Sequence, residues 1–194
     1  MSFHMEDTIL IAGSGKSFSS IRLDIHYPFD AFFLNYAFRY CFDYKFSSFL
    51  YASFDLSVIS CVLDDLLATS STDDVFFSRL FLLDSPLVDS IVSDRICRCR
   101  FRPRLGLHDA VFDRNSYYVP FYFSGVNAAY IALLLGYKNI LLAGIDCSYP
   151  RVSQETCHDT LSAYDSSLAN YFHGAYHRPW RSCFIRCQCA ISIR

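Results

Sequence analysis

The chain has 194 residues, enough for one domain of ordinary size or a core with a small lid, and too few for two full domains. Hydrophobic residues make up 53% and charged residues 19%, with 19 Phe and 14 Tyr, a composition that excludes a disordered polar chain. The formal net charge of -2 gives no general attraction to nucleic acid or anionic lipid, because charge-driven binding to either needs a basic surplus, so no nucleic-acid partner is expected.

Nine cysteines raise the question of a disulfide scaffold. The chain is too long and apolar to need such staples, and Met1 to Thr8 carries His4, Glu6 and Asp7 where a signal peptide has a basic segment followed by an apolar one. A reducing cytoplasm is therefore expected, with the thiols acting as small buried hydrophobes. Cys97-Arg-Cys99 and Cys183, Cys187 and Cys189 lack the paired C-x2-C spacing of a zinc site, and no metal is expected.

Taken in chain order, Thr8 to Ala12 is a short apolar run ending in Gly13-Ser14-Gly15-Lys16-Ser17, the pattern of a buried strand entering a tight loop and then a helix. Glycine permits close backbone approach, and the N–H groups at a helix start favour a phosphate. Phe18 stands where a dinucleotide fingerprint has its third glycine, and the P-loop spacing is missing, so neither an NAD enzyme nor an ATPase is indicated. A structural turn accounts for this loop equally well. Asp30 to Asn35 reads as a second strand ending in a polar residue, and Phe49 to Ile59 as a third strand with its exit loop. Cys61 to Val92 reads as helices around a Thr-Asp-Asp cap. Arg95, Arg98, Arg100, Arg102 and Arg104 follow. A solvated cationic edge is the first reading of that run, and an anionic substrate or membrane-surface contact the second.

The clearest pattern comes later. Ser124-Gly125-Val126 opens a small-residue helix through Leu135, Gly136 stops it, and Ile140 to Ala143 forms a strand ending at Gly144-Ile145-Asp146, the αβ connection of a parallel sheet. Ser124 and Gly125 suit phosphate or ribose, or are an ordinary cap. Asp146 and Tyr149 fall just past a strand's carboxyl end, where open parallel sheets place ligands; a capping aspartate is the first reading of Asp146 and a ligand contact the second. The fold class expected is α/β, a Rossmann-like parallel sheet flanked by helices: residues 1–150 form the nucleotide-binding core, and residues 151–194 a tyrosine- and histidine-rich lid. Within that last segment Asn170-Tyr171-Phe172-His173-Gly174-Ala175-Tyr176-His177 offers imidazoles suited to removing a hydroxyl proton.

Together these stretches resemble a known family. Ile11-Ala12-Gly13-Ser14-Gly15-Lys16-Ser17-Phe18 is similar to the I-A-G-N-G-P-S-L opening of bacterial lipooligosaccharide sialyltransferases, and Asp30 to Asn35 resembles their D-V-F-R-C-N strand. Ser124-Gly125-Val126, Ala132 to Ile140 and Ala143 to Asp146 resemble their S-G-V, A-L-G-Y-K-E-I and S-G-I-D stretches in the same order. Related 6-hydroxymethylpterin diphosphokinase-like glycosyltransferases carry G-x-D-H-S-Y and N-H-F-H-P-D-Y-F, which Gly144 to Tyr149 and Asn170 to Tyr176 resemble. The resemblance covers roughly Thr8 to Asn35 and Tyr122 to Trp180.

The resemblance implies a CMP-sialic acid donor held by Gly13, Ser14, Gly15, Asn35, Ser124 and Gly125, to which Ser17 in the first loop and Asp146 past the last strand add candidate contacts by position; it implies no cofactor beyond the donor and a glycan acceptor as second substrate. It implies a metal-independent inverting transfer. His173, with His177 second, deprotonates the acceptor hydroxyl, while Tyr149 and Tyr164 stabilise the departing phosphate. The family's donor-loop asparagine is Ser14 here and its proline is Lys16, and Arg181 to Arg194 departs from its pattern, so a truncated or altered ending is expected. The alternatives are a pterin diphosphokinase-like phosphotransferase using ATP and Mg2+, or a nucleotide-binding module without turnover. The aromatic excess adds two further expectations, peripheral contact with the inner membrane face and a homo-oligomer.

Overall fold

In the computed structural model the described residues are 7–15, 18–19, 21–22, 25–69, 77–91, 93–102, 111–113, 115–119 and 124–145. The residues 151–194 assigned to a lid lie outside them. Strand β1, Thr8–Ala12, is buried along its whole length, as expected of a strand covered on both faces. Successive side chains leave a strand on opposite faces, so Leu10 and Ala12 enter one apolar layer while Ile9 and Ile11 enter another.

Seven strands run in parallel. In chain order they are β1, β3 (Asp30–Leu34), β5 (Phe49–Ser53), β6 (Phe77–Leu83), β7 (Ile96–Phe101), β9 (Ser116–Val119) and β10 (Asn139–Ala143). With the antiparallel β8 (Val111–Asp113) they form an eight-stranded sheet of order β10-β1-β3-β5-β6-β7-β9-β8. Two-residue strands β2 (His26–Tyr27) and β4 (Lys45–Phe46) pair beside it. The architecture is the mostly parallel, helix-flanked α/β sheet of a Rossmann-like fold.

On one face lie helix α1, Leu56–Thr69, and the 3-10 helix Asn35–Asp43. Val58, Ile59, Val62, Leu63 and Leu66 fall at helical spacing and are the buried stripe of α1. Asp55 starts that helix by accepting from the Ser57 backbone N–H at 2.9 Å and the Ser57 hydroxyl at 2.6 Å. Much of the aromatic excess fills this layer. Phe33 stacks on Phe49 at 6.0 Å, Phe18 meets Tyr44 edge-on at 5.3 Å, and Phe49 meets Phe77 at 6.2 Å. Phe42 is the exception, 53% exposed.

Helix α3, Ser124–Leu134, covers the other face, lying against β1, β3, β5 and β9. Its Ala128, Ala129, Ile131 and Ala132 pack with Ile9, Ile11, Phe32 and Phe81. The small residues let the helix backbone sit close to the sheet. Gly136, at φ 94, ends it in the left-handed conformation that glycine adopts without strain.

Two local expectations are corrected. Cys61 to Val92 is not all helical: α1 carries its start, but Phe77–Leu83 is the central strand β6, and only Pro86–Asp89 (α2) is helical after it. A strand buried on both faces is apolar without alternation, which is why Phe-Ser-Arg-Leu-Phe-Leu-Leu mimics a buried helix. Among the described residues no α-helix follows the first glycine loop, where Phe18 donates its backbone N–H to Gly15 O at 3.0 Å and Ile21 to Phe18 O at 3.1 Å in short turns.

The arginine run is resolved on β7. Cys97 and Cys99 face the α3 layer, while Arg98 pairs with Asp89 at 2.7 Å and Arg100 with Asp84 on the opposite face. Arg102 lies over the Tyr118 ring at 5.0 Å. Arg104 lies outside the described residues.

Candidate functional site

The chain proceeds from β1 outward through β3, β5, β6, β7 and β9, then returns through α3 to place β10 on the other side of β1. The order reverses between β1 and β10. Loops leaving adjacent parallel strands at such a switch point diverge, and the crevice beyond their carboxyl ends is where open α/β sheets bind ligands.

At this switch point two glycine loops meet. The Gly13 N–H donates to Ala143 O at 2.8 Å, and the Gly15 N–H to Gly144 O at 2.8 Å. A Cβ on Gly13 would lie 2.4 Å from Gly144 O, and one on Gly144, at φ 67, would lie 2.1 Å from Gly13 O. The glycines are thus required by each other: two backbones pass closer than any side chain allows. The N–H groups of Gly13 and Gly15 serve this contact.

Next along the edge is Asn35. Ala12 is level with Phe33 across β1 and β3, and Leu34 with Ala52 across β3 and β5, so Asn35 and Ser53 lie side by side at the ends of adjacent strands. Asn35 adopts φ 51, a left-handed turn into the 3-10 helix that asparagine tolerates better than most residues. The fully buried Ser53 hydroxyl donates to Asn35 Oδ1 at 2.9 Å. On the same face as Ser53, the Tyr51 hydroxyl is buried without a hydrogen-bond partner among the described residues. Burial pushes the Tyr51 phenol well above its ordinary value. Tyr36 is also raised, first by burial and then by its neighbour Cys61, with Arg39 over its ring at 5.5 Å acting in the opposite sense.

The start of α3 belongs to the same edge. At the helix's far end Lys138 donates its backbone N–H to Asp7 O at 2.9 Å and the Tyr137 hydroxyl donates to Asp30, which fixes that end at the amino edge of β1 and β3. Ser124, half-buried, and Gly125, buried, therefore stand at the carboxyl edge.

Of the residues expected in the site, the fold gathers Gly13, Ser14, Gly15, Asn35, Ser124 and Gly125 along one edge. Ser17, Asp146, Tyr149, Tyr164, His173 and His177 lie outside the described residues. Ser53, Tyr51 and Gly144 were not expected as members. Ser53 closes an apolar run at a strand end, which is a usable signal; Gly144 is legible only once β1 and β10 are known to be neighbours. No group of three or more His, Cys, Asp or Glu among the described residues is placed to hold a metal ion. No helix among them is long and apolar enough to cross a membrane.

No protein-family model, curated protein or solved structure matches the chain.

Proposed function

We propose that the chain is a glycosyltransferase of sialyltransferase-like type, which moves a sialic-acid-like sugar from a CMP-activated donor to a glycan acceptor hydroxyl without a metal. The observation that carries the reading is the convergence of the β1 glycine loop, Asn35 and the start of α3 at the switch-point edge, where the resemblance puts the donor. In this reading Asn35, Ser14, Ser17, Asp146 and the Ser124-Gly125 turn hold the nucleotide. His173, or His177, takes the proton of the acceptor hydroxyl as its oxygen attacks the anomeric carbon. The bond to the CMP phosphate breaks, and Tyr149 and Tyr164 donate to the departing phosphate, an interaction strongest as the charge develops. Such an enzyme works in the cytoplasm, at the inner membrane face where lipooligosaccharide is assembled.

The test is a thermal-shift and calorimetric screen of CMP, UDP, GDP, ATP and NAD, each with and without Mg2+. A ligand at a hundred times its Kd stabilises the native state by about 2.7 kcal/mol, a readable shift in melting temperature. CMP stabilises the protein without metal if the reading holds, and donor turnover falls at least a hundredfold in either His173→Ala or His177→Ala, the base being the residue affected. Mg2+-dependent stabilisation by ATP instead would replace the reading with a phosphotransferase. CMP binding without transfer to any acceptor would make the chain a nucleotide-binding module.

A further inference from the structure

We propose that Ser53 is a positioning residue: its hydroxyl fixes the Asn35 carboxamide as a hydrogen-bond donor, so that the site takes its ligand through an acceptor atom. This rests on the reading of Asn35 as a ligand contact. An asparagine amide has an accepting oxygen and a donating nitrogen on two branches, and which branch faces a ligand decides what it recognises. Here the oxygen is held. Ser53 Oγ carries one proton and has two acceptors in reach, Asn35 Oδ1 at 2.9 Å and Asp55 O at 3.5 Å, and the shorter contact takes it. Among the described residues Asn35 Nδ2 has no partner of its own, which leaves two N–H donors on the remaining branch. The buried Tyr51 hydroxyl, two residues earlier on the same face of β5, needs an acceptor. Turned toward Ser53 Oγ it finds one, and the serine proton stays directed at Asn35.

The left-handed backbone at Asn35 does not account for this pairing. Asparagine, aspartate and glycine all tolerate that conformation, so the turn requires no amide. Ser53 in turn is fully buried, and the polar side chains its oxygen faces are Asn35 and Tyr51. The acceptor that Asn35 selects is either a base atom, such as the carbonyl oxygen and ring nitrogen of a cytosine, or a phosphoryl oxygen. The two sources share the chemistry and are separable with cytidine and ribose 5-phosphate as probes.

The experiment uses the full chain, 15N-labelled, with Asn35→Asp, Asn35→Gly and Ser53→Ala as variants and melting temperature as the control for folding. Asn35→Asp identifies the Asn35 side-chain NH2 signals by their loss. In the native protein CMP shifts these signals downfield, and cytidine or ribose 5-phosphate alone reproduces the shift according to which atom is bound. Asn35→Asp and Asn35→Gly abolish CMP binding, and Ser53→Ala weakens it about tenfold, the loss expected when an amide is free to turn its oxygen to an acceptor. Binding unchanged in Ser53→Ala, or retained in Asn35→Asp, overturns the proposal. If CMP does not bind the native protein, the donor reading fails while the positioning claim is still decided: the Asn35 NH2 signals must move and broaden in Ser53→Ala without ligand, and unchanged signals overturn it.

Discussion

At the scale of single residues, the opposed glycines carry the clearest energetic consequence. Backbone oxygens 2.4 Å and 2.1 Å from an added Cβ cannot yield as a flexible side chain would, so β1 and β10 must separate. Gly13→Ala and Gly144→Ala each lower stability by about 2–4 kcal/mol, with the larger loss at Gly144 because φ 67 adds left-handed strain. Urea denaturation checks this, and a loss below about 0.5 kcal/mol at both positions would refute the close approach. A binding defect in a Gly13 variant therefore does not by itself identify a nucleotide contact, and Asn35→Asp is the cleaner probe.

The buried thiols give a pH dependence of known sign. Burial raises Cys97 from its ordinary 9.0 to about 11 and Cys41 to about 12. Because the folded values are raised, the stability from keeping these thiols neutral is complete below pH 9 and is lost as pH climbs through the folded values. The unfolded chain has by then released its protons. Melting temperature in reductant should fall between pH 9 and 11, by up to about 1.4 kcal/mol per thiol per pH unit in free-energy terms. In the native state at pH 8 the exposed Cys61 reacts fastest with iodoacetamide among Cys41, Cys61, Cys97 and Cys99, and equal rates would contradict the burial.

Among whole elements, β1 and β10 have similar sequences and opposite surroundings. Thr-Ile-Leu-Ile-Ala lies between two strands and two helical layers, whereas Asn-Ile-Leu-Leu-Ala is, among the described residues, the edge strand, with Leu141 45% and Leu142 37% exposed. Ile11→Ala should cost about 2–5 kcal/mol and Leu141→Ala less than about 1, measured by chemical denaturation. The arginines of β7 follow from the same alternation. Arg98 and Arg100 share a face with the acids that begin and follow β6's exit, so their charge is locally neutralised. Arg98→Ala, at an exposed pair, should change stability by less than about 1 kcal/mol. β6 shows the limit of pattern reading, since its apolar run carries neither a period of two nor one of 3.6.

For the whole molecule, the parallel order and its reversal between β1 and β10 turn scattered residues into one edge. Composition and hydrophobic pattern were enough to specify the α/β class, the ends of β1 and β10 and the helix that Gly136 stops, whereas the expectation that Gly13, Asn35 and Ser124 belong together came from the resemblance of their stretches to a known family. Those properties are local, set by burial of apolar runs and by glycine's freedom at turns. Only the tertiary structure decided that Gly13 faces Gly144, that Ser53 holds the Asn35 oxygen, and that Arg98 and Arg100 have acidic partners. These depend on which strands become neighbours and in what register, and that is settled by the collective packing of two apolar layers rather than by any one segment's own pattern.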